Sequence, residues 1–127
     1  MNLVKELADY LAARGVGVVG TDIFVGGLPE EPNACVAVLD TGGFAPDADL
    51  PLVDPTIEIL CRAADYEVAN AKAWQVYNLL NRKFELKLAT IRVLSSFAMH
   101  PPRRIPPPDA KRREYVSVNF KFRVVES

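Results

Sequence analysis

The eleven residues from Tyr115 to Val125 alternate with a period of two. Val116, Val118, Phe120, Phe122 and Val124 fall on one side, and Tyr115, Ser117, Asn119, Lys121 and Arg123 on the other. This is the pattern of a half-buried β-strand, so the chain must build a sheet with one covered face and one wetter face. Immediately upstream, residues 100–113 hold Arg103, Arg104, Lys111, Arg112 and Arg113 among five prolines. So many charges are expelled from a core, and proline cannot donate to a central ladder. The segment is therefore expected to project from the sheet as an arm that touches a partner.

Reading outward from this strand gives an α+β chain. Asn2 is placed to cap a helix carrying Leu3, Leu7, Tyr10 and Leu11 at helical spacing, stopped by Arg14 and Gly15. A short strand at residues 23–25 and a second at 34–41 follow, the second ended by Gly42 and Gly43. Residues 44–55 contain three prolines with Asp47, Asp49 and Asp54, and read as a loop long enough to be an interaction surface. A third strand at 56–63 leads to Asp65, the N-cap of a second helix with Tyr66, Ala69, Ala73, Val76, Tyr77 and Leu80 on one stripe. A fourth strand at 86–97, the arm and the final strand complete the order α-β-β-β-α-β-β. The expected fold is a mainly antiparallel (mixed) sheet of about five strands with two helices packed on it and a long arm between the last two strands.

At 127 residues the chain fits a single domain, residues 1–127, burying roughly two thirds of its unfolded surface. No internal repeat is visible. No apolar run approaches the ~20 residues of a membrane span, and the N-terminus opens a polar-faced helix in place of a signal peptide, so the protein is expected to be made and used in the cytosol, with no membrane partner. Cys35 and Cys61 fall inside expected strands and read as free, buried thiols.

The net charge of −1 conceals a polarity. Residues 1–67 carry 12 acidic and 3 basic side chains, residues 68–127 carry 4 acidic and 12 basic. If the halves occupy different surfaces, the acidic face of one copy can meet the basic face of another, a head-to-tail contact that closes into rings or grows into filaments.

Sites of chemistry are sparse. Gly15, Gly17 and Gly20 spell the glycine pattern of a phosphate-cradling turn, but they follow a helix and precede a strand, the reverse of the order that would aim amides and helix dipole at a phosphate. The aspartates of residues 44–55 lack the closing glutamate and central glycine of a calcium loop. His100, the one histidine, gives neither a metal set nor a triad. Tyr66, Trp74 and Tyr77 read as packing aromatics rather than a platform for bases. No catalytic, cofactor-binding or metal-binding residue and no small-molecule substrate is expected. The five arm cations remain, placed to meet either phosphates of a nucleic acid or carboxylates of a protein neighbour.

These pieces resemble the minor capsid or tail terminator proteins of long-tailed bacteriophages and prophages. The likeness lies in the opening helix, in Gly20-Thr21-Asp22-Ile23-Phe24-Val25-Gly26 with Pro29 and Pro32 after it, and in the Asp40-Thr41-Gly42-Gly43-Phe44 turn. It continues through the strand at 56–62, Ala64-Asp65-Tyr66 opening the second helix, and Tyr115-Val116-Ser117-Val118-Asn119-Phe120 near the end.

The resemblance implies a non-enzymatic virion protein that forms a ring, of six copies, on the finished tail tube, stops its growth and offers the surface to which the head attaches through its connector. Implied partners are further copies of itself, the tail tube protein and the head–tail connector protein, with non-specific contact to passing DNA. Onto this frame the residues place subunit contacts at Asp47, Asp49 and Asp54. Tube, head or DNA contacts fall at Arg103, Arg104, Lys111, Arg112 and Arg113. Another neck component, a head-closure or head–tail adaptor protein, and a small nucleic-acid-binding module are the alternative readings.

Overall fold

Two side-chain caps start the two helices. Asn2 accepts the Lys5 amide at 3.2 Å and opens α1 (Leu3–Ala13), and Asp65 accepts the Glu67 amide at 2.9 Å and opens α2 (Tyr66–Leu80). The structure, a computed structural model, describes residues 1–126. Between and after the helices run β1 (Ile23–Val25), β2 (Cys35–Phe44), β3 (Leu52–Ala63), β4 (Lys83–Lys87), β5 (Arg92–Ala98), β6 (Arg103–Arg104) and β7 (Glu114–Val125). They form one mixed sheet in the order β1-β2-β3-β7-β5-β4, with β6 pairing β7 and only the β1–β2 pair parallel. No described helix is long and apolar enough to cross a membrane.

The α+β architecture and the alternation of the last strand stand. Val116, Val118, Phe120, Phe122 and Val124 are all 0% exposed; Val116, Val118 and Phe120 pair across to Cys61, Ile59 and Ile57 of β3 and Val124 to Val53, under both helices. Leu3, Leu7, Ala8 and Leu11 of α1 and Ala69, Ala73, Val76 and Leu80 of α2 fill the same core. The small alanines let α2 sit close to the sheet. Neither described helix lies over the opposite face.

The strand count is seven rather than about five, for identifiable reasons. The expected strand at 86–97 is a hairpin, β4 and β5, whose turn is closed by the Leu88 amide on the Ile91 carbonyl at 3.0 Å. The glycines expected to end the second strand lie inside β2 instead. Gly42 and Gly43 have φ of 90° and 140° and absorb a register shift against β3, which itself begins at Leu52, so the loop between these strands is shorter than residues 44–55. On α2, Tyr66 and Trp74 are 39% and 40% exposed, so they lie at the surface and not in the core; Trp74 meets Tyr77 edge-on at 4.9 Å.

Candidate functional site

The arm does not stand away from the sheet. It continues the edge of β5 along β7: the Met99 amide donates to the Asn119 carbonyl at 2.7 Å, β6 pairs with Val116 and Ser117, and the Ile105 amide donates to the Tyr115 carbonyl at 2.9 Å. At a break in this ladder His100 Nε2 accepts the Asn119 amide at 3.2 Å, which makes that histidine a backbone splint. The prolines flank the paired residues, where no ladder donor is needed.

Beyond this splint the arm turns back at Asp109. Its Oδ1 accepts the amides of Lys111 (3.0 Å) and Arg113 (2.9 Å), and its Oδ2 accepts Arg113 Nε and the Tyr115 hydroxyl, each at 2.8 Å. The Arg113 amide is the largest of the influences that hold the Asp109 carboxyl far below the usual carboxylate range. Arg113 is 4% exposed, and its Nη1 donates to the Glu30 carbonyl at 2.6 Å. Arg62, also 4% exposed, reaches the same segment through Nη2 to the Pro29 and Pro32 carbonyls, both at 2.7 Å, and through Nε to Asn33 at 3.2 Å. Two buried guanidiniums thus hold the β1–β2 connection, Arg62 to β3 and Arg113 to the arm. Arg62 escaped the sequence reading because a lone arginine within an apolar strand carries no motif; its signal was the contrast with Ile59, Leu60 and Cys61 before it.

The five cations assigned to partners are therefore in different circumstances. Arg113 is buried. Arg104 pairs with Glu114 at 2.8 Å and lies over the Tyr66 ring at 5.7 Å. Lys111 meets Glu30 at 2.7 Å and Glu31 at 3.3 Å; Glu30 first and Glu31 second raise the pKa of its ammonium. Arg103 and Arg112 are exposed and have no side-chain partner among the described residues.

The acidic loop divides in the same way. Asp47 Oδ1 accepts the amides of Asp49 (2.8 Å) and Leu50 (2.9 Å), which lower its pKa, and its Oδ2 lies 3.3 Å from Arg123 Nη2 on β7. Asp54 stands 3.9 Å from Arg123 Nη1 within β3. Asp49 alone of the three is exposed and takes part in no side-chain contact among the described residues.

No group of three or more His, Cys, Asp or Glu comes together to hold a metal among the described residues. Burial pushes the Cys61 thiol up to about 12 and also raises that of Cys35, and both are free. The glycine-rich connection is closed on itself. Asp22 Oδ1 accepts the Val18 amide at 2.6 Å and sits 2.5 Å from where a Cβ on Gly17 would lie, so a carboxylate packs against this turn.

Residues 10–126 match the family model for the bacteriophage tail terminator protein. The chain belongs to that family. Membership makes it a structural component of a phage tail or neck, not an enzyme. No curated protein matches it significantly. Among solved structures, a chain of the virion of a native gene transfer agent particle shares 19% identity at a TM-score of 0.68, with 94% of this terminator-family chain and 92% of that chain covered. A second structure shares 13% identity at a TM-score of 0.55, over 94% and 89% of the two chains. At these identities the likeness establishes a common fold.

Proposed function

We propose that the protein is a ring-forming tail terminator. Six copies close on the end of the completed tail tube, arrest its growth, and present the surface to which the head docks through its connector. The family match over residues 10–126 carries this reading. The likeness to a chain from a gene transfer agent virion supports its place in an assembled particle. The chain's own charges are compatible with head-to-tail association, which needs two different, complementary surfaces on each copy.

Within this reading the arm and the acidic loop keep their roles, concentrated on the residues that are free to act. Arg103 and Arg112 meet the tube, the head or passing DNA, while Arg104, Lys111 and Arg113 set the shape of the arm behind them. Asp49 makes the subunit contact of the acidic loop, on a loop shaped by Asp47 and Asp54. Assembly takes place in the host cytoplasm, and the finished protein resides in the virion.

The test is electron microscopy of tails assembled with and without the protein. Tubes of uncontrolled length that fail to join heads are expected in its absence, with a six-fold collar on the tube end when it is restored. Tubes of normal length that join heads without it would overturn the reading.

A further inference from the structure

We propose that neighbouring subunits join side to side, with the β4 edge of one copy seated against the β1–β2 end of the next. This deepens the ring reading and rests on it. The two surfaces lie at opposite ends of the sheet, β4 outermost at one and β1 at the other.

The β4 end presents an apolar group that the monomer leaves uncovered. Phe84 is 67% exposed and packs edge-on against Phe97, itself 42% exposed, at 5.5 Å. Around it stand Arg82, Lys83 and Lys87, all exposed and without an ion-pair partner among the described residues. Lysines on an edge strand discourage indiscriminate pairing, and Glu85, with φ of 52°, breaks the regular edge. An exposed aromatic pair has the opposite effect and calls for a specific cover. The irregular edge favours packing of side chains over an unbroken ladder.

The far end of the sheet answers in size and sign. Val18 and Val19 beside β1 are 60% and 41% exposed, and Val25 at its end is 43% exposed. Asp40 is exposed on the part of β2 that the three-residue β1 does not cover. Glu30 and Glu31 are balanced by Lys111 and by the buried Arg113 and Arg62, which leaves Asp40 as the exposed carboxylate of this end without an ion-pair partner among the described residues. One end is apolar and positive, the other apolar with an exposed carboxylate at Asp40. A two-fold contact would bring each end onto its like. The complementary contact is heterologous, and both halves of it are on this chain, which is why a second copy is the occupant.

The test uses the full chain, with assembly followed by light scattering and native mass spectrometry, alone and on tails lacking the protein. Phe84→Asp, at an exposed position that leaves the fold melting as before, is expected to raise the concentration at which oligomers form at least tenfold. Lys83→Glu with Lys87→Glu, and Asp40→Lys, should each weaken assembly. The three changes together in one chain should restore it in part, because every contact then sets the two new glutamates of one copy against the new lysine of the next. Lys87→Cys with Asp40→Cys should yield, on oxidation, a ladder of linked copies that ends at the ring size, whereas either cysteine alone stops at dimers. Rings that form normally in Phe84→Asp and in both charge variants, with no ladder, would overturn this interface and leave the ring reading intact. Rings that persist in Phe84→Asp while tube binding is lost would reassign the β4 edge to the tube protein. A wild-type chain that forms no ring even on tube ends would overturn both.

Discussion

Arg113 lies 2.8 Å from Asp109 through its Nε, with its side chain 5% exposed and Asp109's 22%. A cation that the sequence offers to a partner is instead enclosed by the arm that carries it. The pair fixes where the arm turns back into β7, with the exposed Arg112 beside it. An arm held in one shape loses less conformational entropy on docking than a loose one, which suits an assembly element.

Replacing Asp109 with Asn is expected to destabilise the fold, because Arg113 would keep its charge in a nearly closed site with its counter-ion removed. The Asp109 carboxyl is held below the usual range in the folded protein, chiefly by the Arg113 amide, so its stabilising contribution is complete at neutral pH. It is lost as pH falls below the ordinary carboxylate range toward the depressed folded value. The melting temperatures of wild type and Asp109→Asn should therefore differ most near pH 7 and converge in strong acid. A gap that widens on acidification would exclude this account.

How much was legible in the sequence follows from where the information sits. The alternation from Val116 to Val124 and the caps Asn2 and Asp65 are local signals, and the structure uses each of them. The hairpin at Leu88 to Ile91 was missed because its turn, Ala89-Thr90, holds neither glycine nor proline. Besides its own Leu88–Ile91 hydrogen bond it is held by Glu6, 84 positions away from Thr90 in the chain. The division of the arm cations into buried, paired and free was equally invisible, since it depends on Glu30 and Glu31 arriving from the β1–β2 connection.

Glu6 accepts the Thr90 amide at 2.7 Å, the Ile91 amide at 3.2 Å and the Thr90 hydroxyl, tying α1 to the β4–β5 turn. The Thr90 hydroxyl is the foremost cause of its lowered pKa. Glu6→Ala should release the turn, with faster hydrogen exchange at Thr90 and Ile91 and little change at the amides of β3 and β7. Unchanged exchange at those two amides would show that the hairpin holds itself.

Gly43, at φ of 140°, lies where an added Cβ would be 2.5 Å from the Asp54 carbonyl oxygen and 2.7 Å from the Pro55 Cα. Both obstacles are backbone, so neither can swing aside. Gly43→Ala should lower stability by at least the ~1–3 kcal/mol associated with a strained backbone position. Gly42→Ala meets no atom within 4 Å and bears only the cost of its φ of 90°. Denaturant midpoints should order wild type above Gly42→Ala above Gly43→Ala, and equal midpoints for the two variants would refute the steric argument.

Phe120 is 0% exposed and pairs with Ile57 of β3 on one side and Ala98 of β5 on the other. Phe120→Ala should cost about 3–5 kcal/mol, the usual range for emptying an aromatic site in a core. The same truncation at Phe84, 67% exposed, should leave the monomer's denaturation midpoint within experimental scatter. A similar loss at both positions would mean that the burial described here does not govern stability.

Charge reversal on the arm separates function from folding only at the right positions. Arg103 and Arg112 are exposed, so Arg103→Glu with Arg112→Glu should fold and melt as the wild type does while impairing the joining of tails to heads. Arg113→Glu would place a carboxylate against Asp109 and the Glu30 carbonyl in a site 4% exposed, and should unfold the arm or the whole chain. Loss of joining in Arg113→Glu therefore says nothing about contacts with a partner. The informative comparison is joining efficiency per folded molecule for the Arg103 and Arg112 double variant. Wild-type efficiency in that variant would remove the arm cations from the docking surface.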